Sequence, residues 1–441
     1  MKIFKRIYII LTMVLTALLC ARSVVSHAKP VEHYLEISFV NNPLLKTFHH
    51  TAEESEDLYR RESIFSRNPQ VSFSYSNVPV SEWPALDAHP MSGMSIGLSQ
   101  YIATPWEDHY RKMTMYQMYL SRKEKYSEAK NLLAFQVQSA YHNLLYMYTR
   151  EDILTENKKI LKSVLRIAES LVAVNKMSGS HLLTLRAGLD DIENKILRIQ
   201  GAEAKARSVM EKLAGVPLDW SDIRNDAARW IPEEPEETAA ERFTPESHPV
   251  YRSIAAMYRS READLKHEKA ALTPGVTIGA DYRIRKEIPG RDEGEDFISL
   301  MASIPVPLFY PIKDRHSIAA KEHSFLAVKE MLRSVKVDLQ SRWNGERANN
   351  NKLREAFINY RSAVLPGYYA AYRGQVGALA SGTIGLIDVL DTYRMYLNAS
   401  LAHAKLYRDF TISSLRLRYL LHEYPGNSAM DTDKETHHEQ R

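Results

Sequence analysis

Residues 379–399 read LASGTIGLIDVLDTYRMYLNA. Small residues interrupt a helix-like run at Ala380-Ser381-Gly382-Thr383, and the next run opens with two aspartates three residues apart, Asp388 and Asp391. Residues 176–188, KMSGSHLLTLRAG, carry the same break, with Gly179 standing 203 positions before Gly382. Other landmarks keep nearly the same spacing: Pro43 precedes Pro249 by 206, and Pro69 precedes Pro274 by 205. The halves end in KLAGVP (212–217) and YLLHEYP (419–425). Such a constant offset marks two copies of one structural unit of roughly 180 residues.

The copies span 29–218 and 247–425, joined by a polar, Pro- and Glu-rich linker at 219–246. Each reads helix, strand, strand, long helix, turn, helix. Val71, Phe73 and Tyr75 alternate with serines, as do Met94, Ile96 and Leu98 with Ser95, Gly97 and Ser99; Val276 to Tyr282 and Ile298 to Ile304 alternate in the second copy. Period-two alternation predicts strands at about 70–79, 92–103, 275–285 and 296–305. From Trp106 to Lys176 there is neither proline nor glycine, so a single helix of roughly 105 Å is expected. Ile160, Val164, Ile167, Leu171 and Val174 step 4-3-4-3, and Val328, Leu332, Val335 and Leu339 step 4-3-4, which is coiled-coil spacing. Pro366-Gly367 interrupts the second long run, and a kink is expected there. The helical hairpins turn at about 176–182 and 379–385.

The first 28 residues stand apart. Lys2, Lys5 and Arg6 precede an apolar run, Ile7 to Leu19, and Ser26-His27-Ala28 offers small residues for cleavage. This pattern predicts a secretory signal peptide. Cys20, the only cysteine, lies within it. Acylation of Cys20 is the rival reading, although Leu19 stands where that site wants a small residue. Without the leader's four bases the formal net charge falls from +4 to zero, which offers nothing to nucleic acid. No apolar run beyond the leader reaches the length of a membrane-spanning helix. The polar stretch 426–441 reads as a disordered tail.

Any membrane crossing must therefore use the strands. Four strands cannot close a barrel, and open edges are not tolerated in lipid. Three chains sharing one barrel would supply about twelve strands. The alternative is a soluble four-stranded sheet packed on helices.

The duplicated layout, NNPLL (41–45), LSQYI (98–102), SIPVPLF (303–309) and above all GTIGLIDVLDTYRMYLNA (382–399) resemble the TolC-like outer-membrane efflux proteins. The resemblance runs from about Leu35 to Pro425. RNPQVSFSYSNVP (67–79) looks most like the heavy-metal exporter branch. The resemblance implies a mainly α fold with a transmembrane β part. Long helical hairpins form a trimeric α-barrel, and four strands per chain share a 12-stranded β-barrel. It implies a homotrimer in the outer membrane of a Gram-negative type envelope, extending into the periplasm. The partners it implies are outer-membrane lipid, a periplasmic adaptor and an inner-membrane pump of the resistance-nodulation-division type, with no cofactor and no enzymatic chemistry.

In that family the turns are the docking tips, here Ser178, Gly179, Ser180, Ser381, Gly382 and Thr383. Asp388 and Asp391 match aspartates that narrow the pore entrance, and Thr184 matches a residue of the closing contact. Residues i and i+3 share a helix face, and a ring of carboxylates on a threefold axis favours cations. The family's polar lock is not retained: Leu379 and Ile384 stand at its tyrosine and arginine, and Leu185 replaces an aspartate. Apolar packing is expected to close the tip instead.

Other chemistry finds little support. His49-His50 and His437-His438 are adjacent pairs expected on solvated surface, and Met91, Met94, Met113, Met115 and Met118 are expected to serve packing. Asp190-Asp191 are expected to face solvent. There is no phosphate loop, Cys-x-x-Cys, His-Glu-x-x-His or nucleophile elbow. The rival class is a pore-less periplasmic adaptor or coiled-coil scaffold. An adaptor would carry one hairpin between β-rich halves, whereas here two hairpins and two strand pairs repeat.

Overall fold

The computed structural model describes residues 31–62, 67–175, 177–220, 223–224, 243–273, 275–380 and 383–424. The leader with Cys20, most of the linker, Ser381, Gly382, the tail 426–441 and His437-His438 lie outside these residues. The element order is α1 (Val31–Asn41), α2 (Pro43–Glu62), β1 (Gln70–Ser76), β2 (Gly93–Ile102), α3 (Pro105–Ala173), α4 (Gly179–Ala214), α5 (Pro249–Ala270), β3 (Val276–Ile284), β4 (Phe297–Ser303), α6 (Arg315–Asn359), α7 (Leu365–Ala380) and α8 (Leu386–Leu421). The fold is mainly helical with one antiparallel sheet, and the duplicated order expected from the sequence is present. The strands are a few residues shorter than the alternation suggested. Among the described residues no helix is long and apolar enough to cross a membrane.

The chain divides into two compact units. The first comprises the described parts of 1–43, 132–240 and 345–419. Its core joins Leu154, Leu161 and Ala168 of α3 to Leu185, Ile192 and Ile199 of α4 and to Leu386, Leu390 and Leu397 of α8. The first two sets step by seven, one layer per two turns of a coiled coil. Each buried leucine stabilises the fold by about 1.5–3 kcal/mol. This corrects the expected stripe on α3 in part: Val164 packs against the cluster, but Ile167 and Val174 do not. Ile167 and Val174 are 53% and 61% exposed, and the buried stripe is the one through Leu161. A 4-3 spacing fits either face of a helix that is apolar on two sides, so periodicity alone cannot choose between them.

Two caps close this unit's helix ends. Gly215 follows α4 at φ 74° and its N–H donates to Glu211 O at 2.8 Å. A Cβ there would lie 2.6 Å from Asn41 O, so both conformation and space demand glycine. Asn42 Nδ2 donates to Leu213 O at 2.8 Å, satisfying a helix-end carbonyl. In the long second-copy run, a π-helical segment at Tyr360–Val364 precedes α7. Pro366 has no N–H for the carbonyl four residues back, and its ring would press on that carbonyl. The wider turn relieves the clash, which is the interruption the sequence led us to expect.

The second unit comprises the described parts of 44–131, 241–344 and 420–441. Here α3 and α5 approach through small residues: Ser253 Oγ donates to Ser121 O and Ser260 Oγ to Thr114 O, both at 3.0 Å. Val328 and Leu339 of α6 are buried, with Leu332 and Val335 half-buried between them, as their spacing predicted. His248 caps α5, its Nδ1 accepting from Val250 N at 3.3 Å. It is wholly buried, and burial, with His422 and Arg252 nearby, lowers its pKa to about 4. The sheet runs in the order β1-β2-β3-β4, so the two copies meet at the β2–β3 pair.

Candidate functional site

Two surfaces carry the expected site residues: the sheet in one unit and the helical turns in the other. In the sheet, register puts Phe73 opposite Ile96, Ile96 opposite Tyr282, and Tyr282 opposite Ile298. One face is therefore a continuous apolar row, and it is bare: Phe73 is 78% and Leu300 83% exposed. The other face is mostly small and polar, bearing Ser72, Ser74, Ser95, Ser99, Thr277, Ser299 and Ser303 with Gly97, Gly279 and Asp281, and it also carries Tyr101, Arg283, Phe297 and Met301. Gly97 is buried beneath Asp281, which leans across it: a Cβ there would meet Asp281 Oδ1 at 1.9 Å and Ser72 Oγ at 2.6 Å. An apolar face backed by small polar side chains suits strands between lipid and water. Each edge strand, β1 and β4, pairs on one side only.

At the first turn, Asn175 takes φ 58°, a left-handed conformation asparagine tolerates. Ser178 then caps α4, its Oγ accepting from Ser180 N at 3.3 Å. Gly179 has open space around it. Thr184 Oγ donates to Ser180 O at 3.1 Å, so its hydroxyl is engaged by its own helix. At the second turn Thr383 N and Oγ both donate to Ala378 O, at 3.0 and 2.9 Å, closing the end of α7. Ser381 and Gly382 lie outside the described residues.

Asp388 and Asp391 are both exposed, on one side of α8, while Leu386, Val389 and Leu390 are buried. Asp388 is the third residue of α8 and accepts from Gly385 N at 3.3 Å, half of a capping box. Asp391 pairs with Arg394 at 3.3 Å, both side chains more than half exposed, a geometry worth little energetically. Sequence reasoning missed Arg394, although its i+3 position after Asp391 was the available signal. Thr184 does not join the aspartates. It lines a cleft of about 180 Å³ with Gly188, Lys195, Tyr393, Arg394 and Asn398.

The tip is held by packing and one buried polar tie. Leu379, Met177, Leu182 and Leu189 pack against the core cluster, as expected for Leu379; Ile384 is half-buried and stands outside it. Tyr393, buried in α8, donates its hydroxyl to Asn157 of α3, reaching the backbone carbonyl at 3.0 Å and the side-chain carbonyl as well. Burial raises the Tyr393 pKa above the ordinary phenol value, and neighbouring Tyr372 and Tyr396 add to it. Tyr372 stacks on Tyr396, and Tyr369 packs on Tyr396, joining α7 to α8. No sequence signal linked Tyr393 to a residue 236 positions away.

Among the described residues no cluster of histidine, cysteine and carboxylate groups could hold a metal ion. His49 and His50 are both exposed, as expected. Their rings stack and both approach Glu53, at 3.7 and 3.0 Å. Met91 and Met94 are exposed.

No protein-family model matches the chain, and no curated protein does. Solved structures do. CusC, described for transmembrane channel formation, aligns with a TM-score of 0.73 at 15% identity, covering 89% of this chain and 91% of that one. A membrane protein from Pseudomonas aeruginosa aligns at 0.75 and 15%, covering 90% and 93%. The outer membrane protein VceC of Vibrio cholerae aligns at 0.73 and 14%, covering 89% and 96%. The chain has the fold of the TolC-like outer-membrane efflux channels.

Proposed function

We propose that the chain is the outer-membrane channel of a tripartite efflux system, a passive conduit with no chemistry of its own. The observation that carries this reading is the sheet: a bare apolar face, an opposite face of mostly small polar residues and two edges that each pair on one side only. Such a sheet is stable in lipid only when its edges are closed. Three copies closing about twelve strands into one barrel would do so, with the polar face lining the lumen. The repeats read from the sequence at 29–218 and 247–425 are consistent with that assembly, each copy contributing two strands and one hairpin.

The tips around Ser178–Ser180 and Ser381–Thr383 would dock on a periplasmic adaptor, which joins the channel to an inner-membrane pump of the resistance-nodulation-division type. Asp388 and Asp391 would face the pore entrance, with Thr184 on the neighbouring helix. Arg394 would temper that ring, offsetting one of the two carboxylates per chain and leaving a milder cation preference. Support for heavy-metal cations as cargo comes from residues 67–79 alone; CusC and VceC fit the fold equally, at 0.73 each.

Cell fractionation tests the reading. The expected result is an outer-membrane protein that migrates on unheated SDS gels as a trimer and on heated gels as a monomer. A soluble monomer in the periplasmic fraction would overturn it. Sensitivity of a deletion strain to a panel of metal ions and drugs assigns the cargo.

A further inference from the structure

Between β4 and α6 the chain passes through Ile304-Pro-Val-Pro-Leu-Phe-Tyr-Pro-Ile312. Six large apolar side chains, Ile304, Val306, Leu308, Phe309, Tyr310 and Ile312, are 43–75% exposed. The segment ends in a π-helical turn, Tyr310–Asp314, and this much bare apolar surface marks an interaction site. Its backbone is also unusually dry. Of the nine residues from Pro305 to Lys313, three are prolines without an N–H, and Leu308, Tyr310, Ile312 and Lys313 donate within the segment or to Phe309. A segment built to add to another chain's strand would keep its N–H groups free. One built for a hydrocarbon boundary would satisfy them internally.

Charge follows immediately. Residues 313–315 are Lys-Asp-Arg; Lys313 and Arg315 are exposed and Asp314 between them is half-buried, which leaves a local excess of one positive charge. The equivalent passage of the first repeat differs: Trp106 is tied to Thr273 Oγ1 at 2.9 Å and is followed by Glu107 and Asp108. The order strand, apolar run with Phe309-Tyr310, then a Lys-Asp-Arg triplet of net positive charge is that of a chain leaving a bilayer through its headgroups.

Resting on the channel reading above, we propose that residues 304–315 form an interfacial anchor that recognises anionic phospholipid at the leaflet where the strands end. Phe309 and Tyr310 seat at headgroup depth, and Lys313 and Arg315 select negative headgroups. The first repeat's passage has no such selectivity.

The test uses the full chain carrying Cys20→Ser and Phe309→Cys, labelled at position 309 with an environment-sensitive fluorophore and reconstituted into phosphatidylcholine vesicles. Brominated phosphatidylglycerol or brominated phosphatidylcholine is added as the minor lipid. Local enrichment of the anionic quencher is expected, giving preferential quenching of roughly five-fold at low ionic strength from a net excess of one surface cation. Lys313→Glu with Arg315→Glu should abolish that preference while quenching by brominated phosphatidylcholine persists. Equal quenching by both lipids in the parent would overturn the anionic selectivity. Absence of quenching by either would show that a second copy covers the segment, and would overturn the anchor. A chain that never becomes integral to vesicles would instead count against the channel itself.

Discussion

Leu185 and Asp388 hold equivalent places in the two repeats and meet opposite surroundings. Leu185 is buried to 1% in the three-helix core, and Gly188, the counterpart of Asp391, packs 3.6 Å from a Leu161 methyl as judged from an added Cβ. A carboxylate at Leu185 would enter an apolar layer at a cost of several kcal/mol, so the first hairpin does not accommodate the same acid pair. The sequence made the pair visible but not its neighbours. Arg394→Ala should free Asp391 and increase block of the channel by divalent cations, roughly several-fold, as tenths of a kcal/mol to about 1 kcal/mol separate an exposed pair from its parts. If current and block in planar bilayers are unchanged in this variant and in Asp388→Ala/Asp391→Ala, the aspartates do not face the pore. His248 gives a second residue-scale expectation. Its folded pKa of about 4 lies below the ordinary 6.5, so the unfolded chain takes the proton first. Its contribution is therefore full above pH about 6.5, is lost as pH falls toward 4, and changes no further below that. Thermal melts across this window should fall with pH, and His248→Asn, which can keep the cap, should flatten the slope. A slope unchanged by the substitution would assign the sensitivity elsewhere.

At the scale of elements, much was legible because the signals are local. Alternation at Val71, Phe73 and Tyr75 marked β1, and the absence of glycine and proline after Trp106 marked α3. What was not legible needed a partner. The choice between the Leu161 stripe and the Ile167 stripe depends on which neighbours α3 meets, and both faces carry the same spacing. The π-helical segment at Tyr360–Val364 has no composition signature; only its cause, Pro366, can be read. Pro366→Ala removes that cause. The run from α6 into α7 should then become regular helix and gain about 1–3 kcal/mol, a fraction of the penalty of an interior proline. A rise in melting temperature is the expected measurement, and an unchanged or lower value would mean the wide turn has another origin.

At the scale of the whole molecule, the sheet is the part of one chain that is incomplete by its own physics. Its apolar face is bare, its edges are open, and β1 and β4 lie at opposite sides of the sheet order. Closure in lipid requires β1 of one copy beside β4 of the next, all the way round. The proposed roles of the helical turns, the adaptor and the cargo all depend on that ring. The most direct measurement is a cross-link between edges, using Cys20→Ser chains that carry Phe73→Cys on β1 and Leu300→Cys on β4. These chains are treated in outer-membrane vesicles with a short bis-maleimide. A closed ring predicts covalent dimers and trimers, with nothing larger, that persist on heated gels. Monomers alone, or an open ladder of larger species, would contradict it.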